Sequence, residues 1–342
     1  MNLPMAPSPA TPKALSADEI AALHAEIRKL AAQRNAVILA HNYQVPEVQD
    51  AADYVGDSLG LSRKAAETDA AVIAFCGVHF MAETASVLSP HKTVLIPDLG
   101  AGCSLADSIT PEQLSAWQAQ HPADAVTVMY VNTTAEIKAL TDYCVTSSNA
   151  VKVVEHIIEE RGWQGRQRVP ILFGPDMWLG AYVEKELGVK MHVWDGECHV
   201  HAGIRPDDIT TMRAAHPDAD FLIHPECGCS TQVMEYVASG DVDATGVHML
   251  STGGMLDYAR ERAGGGGTAI MATETGMLHQ LQMAAPDVDF VAANERASCR
   301  YMKMITLPKL RDCLRDLSGE VRVDPELAVK ARIPIERMVA IG

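Results

Sequence analysis

The chain has 342 residues, 48% of them hydrophobic, which supplies cores for two or three domains and excludes a disordered polypeptide. Its formal net charge of -16 disfavours nucleic acid and anionic membrane as partners, and no apolar run reaches the length of a membrane span. Eight cysteines in a chain of this length do not make a secreted disulfide scaffold, and no basic cluster followed by an apolar stretch marks a signal peptide. The expectation is a cytoplasmic protein whose thiols are reduced and available for metal.

Residues 1–16, rich in Pro and Ala, read as a loose arm, and Ala17 to Arg34 reads as a helix. Three copies of one pattern follow. Each opens on an apolar strand that ends in polar residues: Ala36-Val-Ile-Leu-Ala-His-Asn-Tyr, Ala125-Val-Thr-Val-Met-Tyr-Val-Asn and Asp220-Phe-Leu-Ile-His-Pro-Glu. The period is about 90 residues, too long for a solenoid unit and right for a small α/β domain. A helical stretch leads to a segment rich in Ser and Thr: Gly56-Asp-Ser-Leu-Gly-Leu-Ser, Val145-Thr-Ser-Ser-Asn and Leu250-Ser-Thr-Gly-Gly-Met. A hydroxyl there serves as a helix N-cap, and the same group with the free amides beside it can hold an anion. A third strand follows at Ala71-Val-Ile-Ala-Phe, Pro170-Ile-Leu-Phe-Gly and Thr268-Ala-Ile-Met-Ala. The fourth strand of each copy runs to a cysteine, Cys103, Cys198 or Cys299.

Strands alternating with helices predict parallel βαβ units, whose ligands sit outside the carboxyl ends of the strands. We therefore expect an α/β protein of three pseudo-threefold-related α/β/α domains, each with a small parallel sheet: 17–118, 119–215 and 216–305. The tail 306–342 is expected to pack back on the first domain beside the N-terminal helix, with a helix from Leu307 to Leu317 and a short one near Pro325. Three strand ends facing one centre would bring one cysteine from each copy to a single point.

Three thiolates at one point make a soft metal site with one ligand missing, whereas three separate thiols would be ordinary core residues. The placement of one cysteine per copy favours a shared site. Cys76, Cys144 and Cys313 lie in apolar or helical contexts and read as core. Cys227 and Cys229 read as loop residues beside a site, since no second pair completes a zinc ribbon. A single histidine at a strand end is ordinarily structural. Here, however, His41 with Tyr43, Tyr130 with Asn132 and His224 with Glu226 stand at equivalent edges, as acid–base and carboxylate-binding groups would. Of His199 and His201, the spacing does not choose which meets ligand. Gly264-Gly-Gly-Gly lacks the Lys-Ser/Thr of a phosphate loop, and no Gly-x-Gly-x-x-Gly follows a first strand.

These residues carry a resemblance to the quinolinate synthase (quinolinate synthetase A) family, from about Leu15 to Ile341. Its motifs here are Ala40-His-Asn-Tyr, Gly56-Asp-Ser-Leu, Cys76-Gly-Val-His-Phe-Met-Ala-Glu-Thr-Ala, Leu88-Ser-Pro-His-Lys-Thr-Val-Leu-Ile-Pro, Tyr130-Val-Asn-Thr, Val145-Thr-Ser-Ser-Asn-Ala-Val, His224-Pro-Glu, Ser251-Thr and Cys299-Arg-Tyr-Met-Lys-Met. The resemblance implies a transferase that condenses iminosuccinate (iminoaspartate) with dihydroxyacetone phosphate to quinolinate, phosphate and water on the route to NAD. It implies three domains around a [4Fe–4S] cluster held by Cys103, Cys198 and Cys299, with one iron open as a Lewis acid. It implies substrate binding by His41, Ser58, Tyr130, Val131, Asn132, Ser147, His199, His224, Pro225, Glu226 and Thr252, and proton transfer by Tyr43 and Glu226. It further implies functional coupling to L-aspartate oxidase or aspartate dehydrogenase. Some members carry Cys-x-x-Cys-x-x-Cys at the last ligand. Here Arg296-Ala-Ser-Cys299 keeps only the final cysteine, so a thiol–disulfide switch at that run is not expected. A zinc hydrolase on the same three cysteines has no His-x-Glu or His-Glu-x-x-His to support it, and a non-enzymatic metal sensor leaves the His, Glu and hydroxyl groups unexplained.

Overall fold

The structure is a computed structural model and describes residues 15–239 and 246–341. Of the expected arm, Ser16 has a defined role. It caps the first helix, α1 (Ala17–Arg34), in a reciprocal box with Glu19.

Three four-stranded, all-parallel sheets follow, with helices between the strands. The first holds β1 (Ala36–His41), β2 (Tyr54–Gly56), β3 (Val72–Cys76) and β4 (Thr93–Leu95), with helices α2 (Pro46–Gln49), α3 (Ser58–Glu67) and α4 (His79–Leu88). Helix α5 (Pro111–Gln118) leads to the second: β5 (Val126–Tyr130), β6 (Tyr143–Val145), β7 (Arg168–Gly174) and β8 (Lys190–Val193), with α6 (Ala135–Lys138), α7 (Ala150–Glu160) and α8 (Met177–Leu187). Helix α9 (Pro206–Ala215) leads to the third: β9 (Asp220–Ile223), β10 (Val247–Met249), β11 (Thr268–Ala272) and β12 (Asp289–Ala292), with α10 (Ser230–Ser239), α11 (Thr252–Arg262) and α12 (Met277–Ala284). The strand order is the same in all three, second–first–third–fourth. The fold is thus three α/β/α units, as the alternating pattern predicts. Each sheet has its topological switch point between its first and third strands, where a ligand crevice opens at the carboxyl ends.

The strands are continuous apolar runs because both faces are covered. The third sheet makes this visible. Phe221, Ile223, Ile270 and Ala272 point into one core with Val200, Ile204 and Ile209, while Leu222, Ala269 and Met271 face the larger core shared with the other units. Local clips repeat as well: the Asp53 carboxylate accepts the Ile38 amide at 2.7 Å, and Asp142 accepts that of Thr127 at 2.8 Å. Helix α5 puts Leu114 in a small core with Met129 and Ile137 of the second unit.

The C-terminal segment comprises α13 (Leu307–Asp316) and α14 (Pro325–Ile341). Helix α13 packs on α1. Between the two helices, Gly319 and Val321 hydrogen-bond along β4, and a Cβ at Gly319, whose φ is +77°, would meet the Ile96 carbonyl oxygen at 2.2 Å. The short helix expected at Pro325 is instead 17 residues long and passes through Pro334. Burial of Ala328, Ala331, Ile335 and Met338 outweighs the roughly 3 kcal/mol that an interior proline costs. Helix α14 spans two units: the Met338 carbonyl accepts from Asn149 at 2.9 Å and the Val339 carbonyl from Arg63 at 3.0 Å. Among the described residues no helix is long and apolar enough to cross a membrane.

Candidate active site

Residues from all three units line one cavity of about 70 Å³ at the carboxyl ends of the strands. Cys103, Cys198 and Cys299 are on its wall, each a free thiol and only partly covered, while Cys76, Cys144 and Cys313 are buried. Burial pushes all three thiols up, Cys103 to about 12, while the backbone amides two and three positions on (Leu105 and Ala106, Val200 and His201, Tyr301 and Met302) pull the other way by favouring the thiolate.

The first strands supply the next layer. His41, Tyr130 and His224 stand at or just beyond the strand ends, and Tyr43, Asn132 and Glu226 follow two residues later. The chain turns sharply there. The Tyr43 amide donates back to His41 Nδ1 at 3.2 Å, and the Glu226 amide donates to His224 Nδ1 at 3.3 Å. An Nδ1 that accepts is unprotonated, so the network assigns the proton of each ring to Nε2. Burial, aided by Lys303 and His201, holds His41 down to about 3, and burial depresses His224 as well. Both are neutral donors toward the cavity. The Nε2 of His224 meets Ser147 Oγ at 3.1 Å.

Glu226 is buried between these groups. Its carboxyl accepts from the Tyr130 hydroxyl and lies 3.4 Å from His201 Nδ1, outside hydrogen-bond geometry. Burial, and then the Asp176 charge, push it well above the usual carboxylate range. The Tyr43 hydroxyl sits 2.6 Å from Thr273 Oγ1 and 3.3 Å from His201 Nε2, and the His201 and His224 rings stack at 4.8 Å. Ser58 and Thr252 open α3 and α11, whose N-caps are Asp57 and Ser251. Both helices therefore turn their free amides toward the cavity. Asn132 Oδ1 is buried with no partner among the described residues, an acceptor on the cavity wall.

Of the residues named from sequence, His41, Tyr43, Ser58, Tyr130, Asn132, Ser147, His199, His224, Glu226, Thr252 and the three cysteines line this cavity. Val131 and Pro225 do not; they are buried spacers inside the two-residue offset. Both His199 and His201 reach it, His199 bonded to Ser104 Oγ at 2.6 Å and His201 deep at the Glu226 end. Sequence reasoning missed Asp57, Glu274, Tyr301 and Thr273. Asp57 had a signal in its position as N-cap between two glycine-flanked turns. Glu274 and Thr273 follow a third strand, where no motif drew attention.

One expectation is overturned. Cys227 and Cys229, read as reduced, form a disulfide with Cα atoms 5.1 Å apart. The intervening Gly228 lets the backbone press against the His201 loop, donating to the His201 carbonyl at 3.0 Å, and a Cβ there would meet the Ala202 carbonyl oxygen at 3.0 Å. The tight turn brings the two sulfurs together.

Three soft free thiols, repeat-equivalent and on the wall of one cavity, fit an iron–sulfur cluster. A mixed set also exists, since ligand atoms of Cys198, His201 and Glu226 lie within 4.8 Å of one another. Comparison with known proteins gives the family. The family model described as NadA, quinolinate synthetase A protein, matches residues 25–340. The quinolinate synthase of Mycobacterium tuberculosis (strain H37Rv) is 57% identical over 319 residues, covering 93% of this chain and 88% of that protein. Those of Mycobacterium sp. (strain KMS) and Mycolicibacterium paratuberculosis (strain K-10) are each 56% identical over 319 residues, covering 93% of this chain and 91% and 88% of theirs. With the repeat, the cavity and the match in agreement along nearly the whole chain, it belongs to the quinolinate synthetase A family.

Proposed function

We propose that this chain condenses iminosuccinate with dihydroxyacetone phosphate to give quinolinate, phosphate and water, acting as a transferase on the route to NAD. Cys103, Cys198 and Cys299 would hold a [4Fe–4S] cluster. The observation that carries the reading is the meeting, on the wall of one cavity, of three repeat-equivalent free cysteines with the neutral imidazoles of His41 and His224 and the carboxyl of Glu226.

When bound, the cluster would supply an open iron as Lewis acid, because three thiolates leave one of four irons without a protein ligand. The side chains do the rest. Iminosuccinate is a dicarboxylate. The Nε2–H groups of His41 and His224, the hydroxyls of Ser58, Ser147, Thr252 and Tyr130, and the amide of Asn132 are hydrogen-bond donors for its oxygens. His199 extends this set at the rim, and Val131 and Pro225 set the spacing. The chemistry needs loss of phosphate and of water, tautomerisation and ring closure, each with a proton transfer. Glu226, kept protonatable by burial, can give and retake a proton, and Tyr43 can do so through its hydroxyl. The mixed Cys198–His201–Glu226 set is the specific feature that favours a rival, a zinc site.

We place the enzyme in the cytoplasm, fed with iminosuccinate by an L-aspartate oxidase or an aspartate dehydrogenase. Anaerobic purification, absorbance, iron and sulfide analysis and an assay for quinolinate test the reading. A brown protein with iron and sulfide that forms quinolinate is expected. A colourless protein holding one zinc would overturn it.

A further inference from the structure

The three cysteine loops share one strap. The amide of His79, Met177 or Thr275 donates to the carbonyl two residues before the cysteine, that of Ala101, Gly196 or Ala297, at 2.7, 2.8 and 2.8 Å. The residue just before the strap differs among units. It is Val78 in the first, Asp176 in the second and Glu274 in the third. Asp176 Oδ2 accepts the Cys198 amide at 3.2 Å, and Glu274 Oε1 accepts the Cys299 amide at 2.9 Å. Both acids are fully buried.

A carboxylate taken out of water is costly unless several donors meet it. Each acid is supported differently. Asp176 caps α8 through the Trp178 and Leu179 amides at 2.7 and 3.0 Å. Glu274 takes the Gly276 amide at 2.7 Å and the Lys303 ammonium at 2.9 Å. Two acids of different length, with different supports, converge on the same contact with a cysteine amide. A negative charge beside a thiolate is electrostatically unfavourable, so what the contact provides is orientation of the loop and its Sγ.

We infer that Asp176 and Glu274 are positioning residues that fix the Cys198 and Cys299 loops for the cluster, and that the Cys103 loop relies on its strap without such a clamp. The inference rests on the three-cysteine cluster proposed above. The test uses anaerobically reconstituted protein and follows iron release to a ferrous chelator by absorbance. Asp176→Asn keeps an oxygen for the Trp178 and Leu179 amides and sets its NH2 against the Cys198 amide, so it breaks only the clamp. Glu274→Gln is the second variant and carries the test if the first does not fold. Asp53→Asn is the matched control, a carboxylate-to-amide clip remote from the thiols. We expect about tenfold faster iron release from each clamp variant and a wild-type rate from the control. Wild-type rates in both clamp variants would overturn the inference, as would an equal acceleration in the control. A wild-type protein that takes up no iron would instead defeat the cluster reading itself.

Discussion

Six free cysteines divide into two sets of three that differ in one respect. Cys76, Cys144 and Cys313 are enclosed by side chains, and Cys103, Cys198 and Cys299 have one open side on the cavity. Burial raises the thiol pKa in both sets. Burial of a cysteine therefore says little about its use. What distinguishes the cavity set is the open side on the cavity.

The largest effect separates the sets directly. Cys103→Ala, Cys198→Ala and Cys299→Ala should each abolish iron binding and quinolinate formation, and Cys227→Ala should leave iron content intact, all read by iron analysis of anaerobically purified protein. If Cys227→Ala loses iron while Cys299→Ala keeps it, the repeat assignment is wrong. Next, Glu226→Gln should keep the cluster spectrum and lower kcat by about 10²–10⁴, the range for removing a general acid–base group; unchanged turnover would remove Glu226 from the chemistry. Smaller again, Cys76→Ala and Cys144→Ala should retain iron and lose roughly 1–2 kcal/mol of stability by denaturant titration, as small core truncations do.

The smallest effect concerns the cavity in the apoprotein. His41 is neutral when folded, with its pKa held down to about 3, and binds a proton more readily when unfolded, near the ordinary value of 6.5. Stability is therefore full above pH 6.5 and falls as pH drops from there toward 3, by at most about 1.4 kcal/mol per pH unit for this group. His41→Asn should flatten that slope in denaturant titrations of apoprotein between pH 6.5 and 5.5. A slope identical to wild type would show that His41 is not buried neutral.

Much of the fold was legible because fully buried parallel strands are unbroken apolar runs. Ala36-Val-Ile-Leu-Ala, Ala125-Val-Thr-Val-Met and Thr268-Ala-Ile-Met-Ala announce themselves, and their repetition at a domain-sized period carries the rest. The His-x-Tyr, Tyr-x-Asn and His-x-Glu pairs were legible because they occupy matching strand ends; the cysteines were legible by their repeat position, although the fourth strands stop at Leu95, Val193 and Ala292 and each cysteine lies in the loop beyond rather than at the strand end. Asp176 and Glu274 were hidden because an acid after a strand looks like any helix cap; only the third dimension shows the cysteine amide above it. Thr273 bonds Tyr43 across 230 positions, a relation no local pattern encodes. The Cys227–Cys229 bond was missed because compartment arguments concern thiols in general and not two held together by a tight turn. Helix α14 was underestimated because its length is set by burial against surfaces remote in sequence.

The cavity wall is built from residues as far apart as His41 and Tyr301. Contacts of this separation give the site a high contact order, so it forms late, after the loops between its parts have closed. At translation rates of about 5–20 residues per second, Cys103 leaves the ribosome roughly 10–40 s before Cys299 exists. A chain that ends before Cys299 lacks part of this wall, so the cavity is completed only with the last unit.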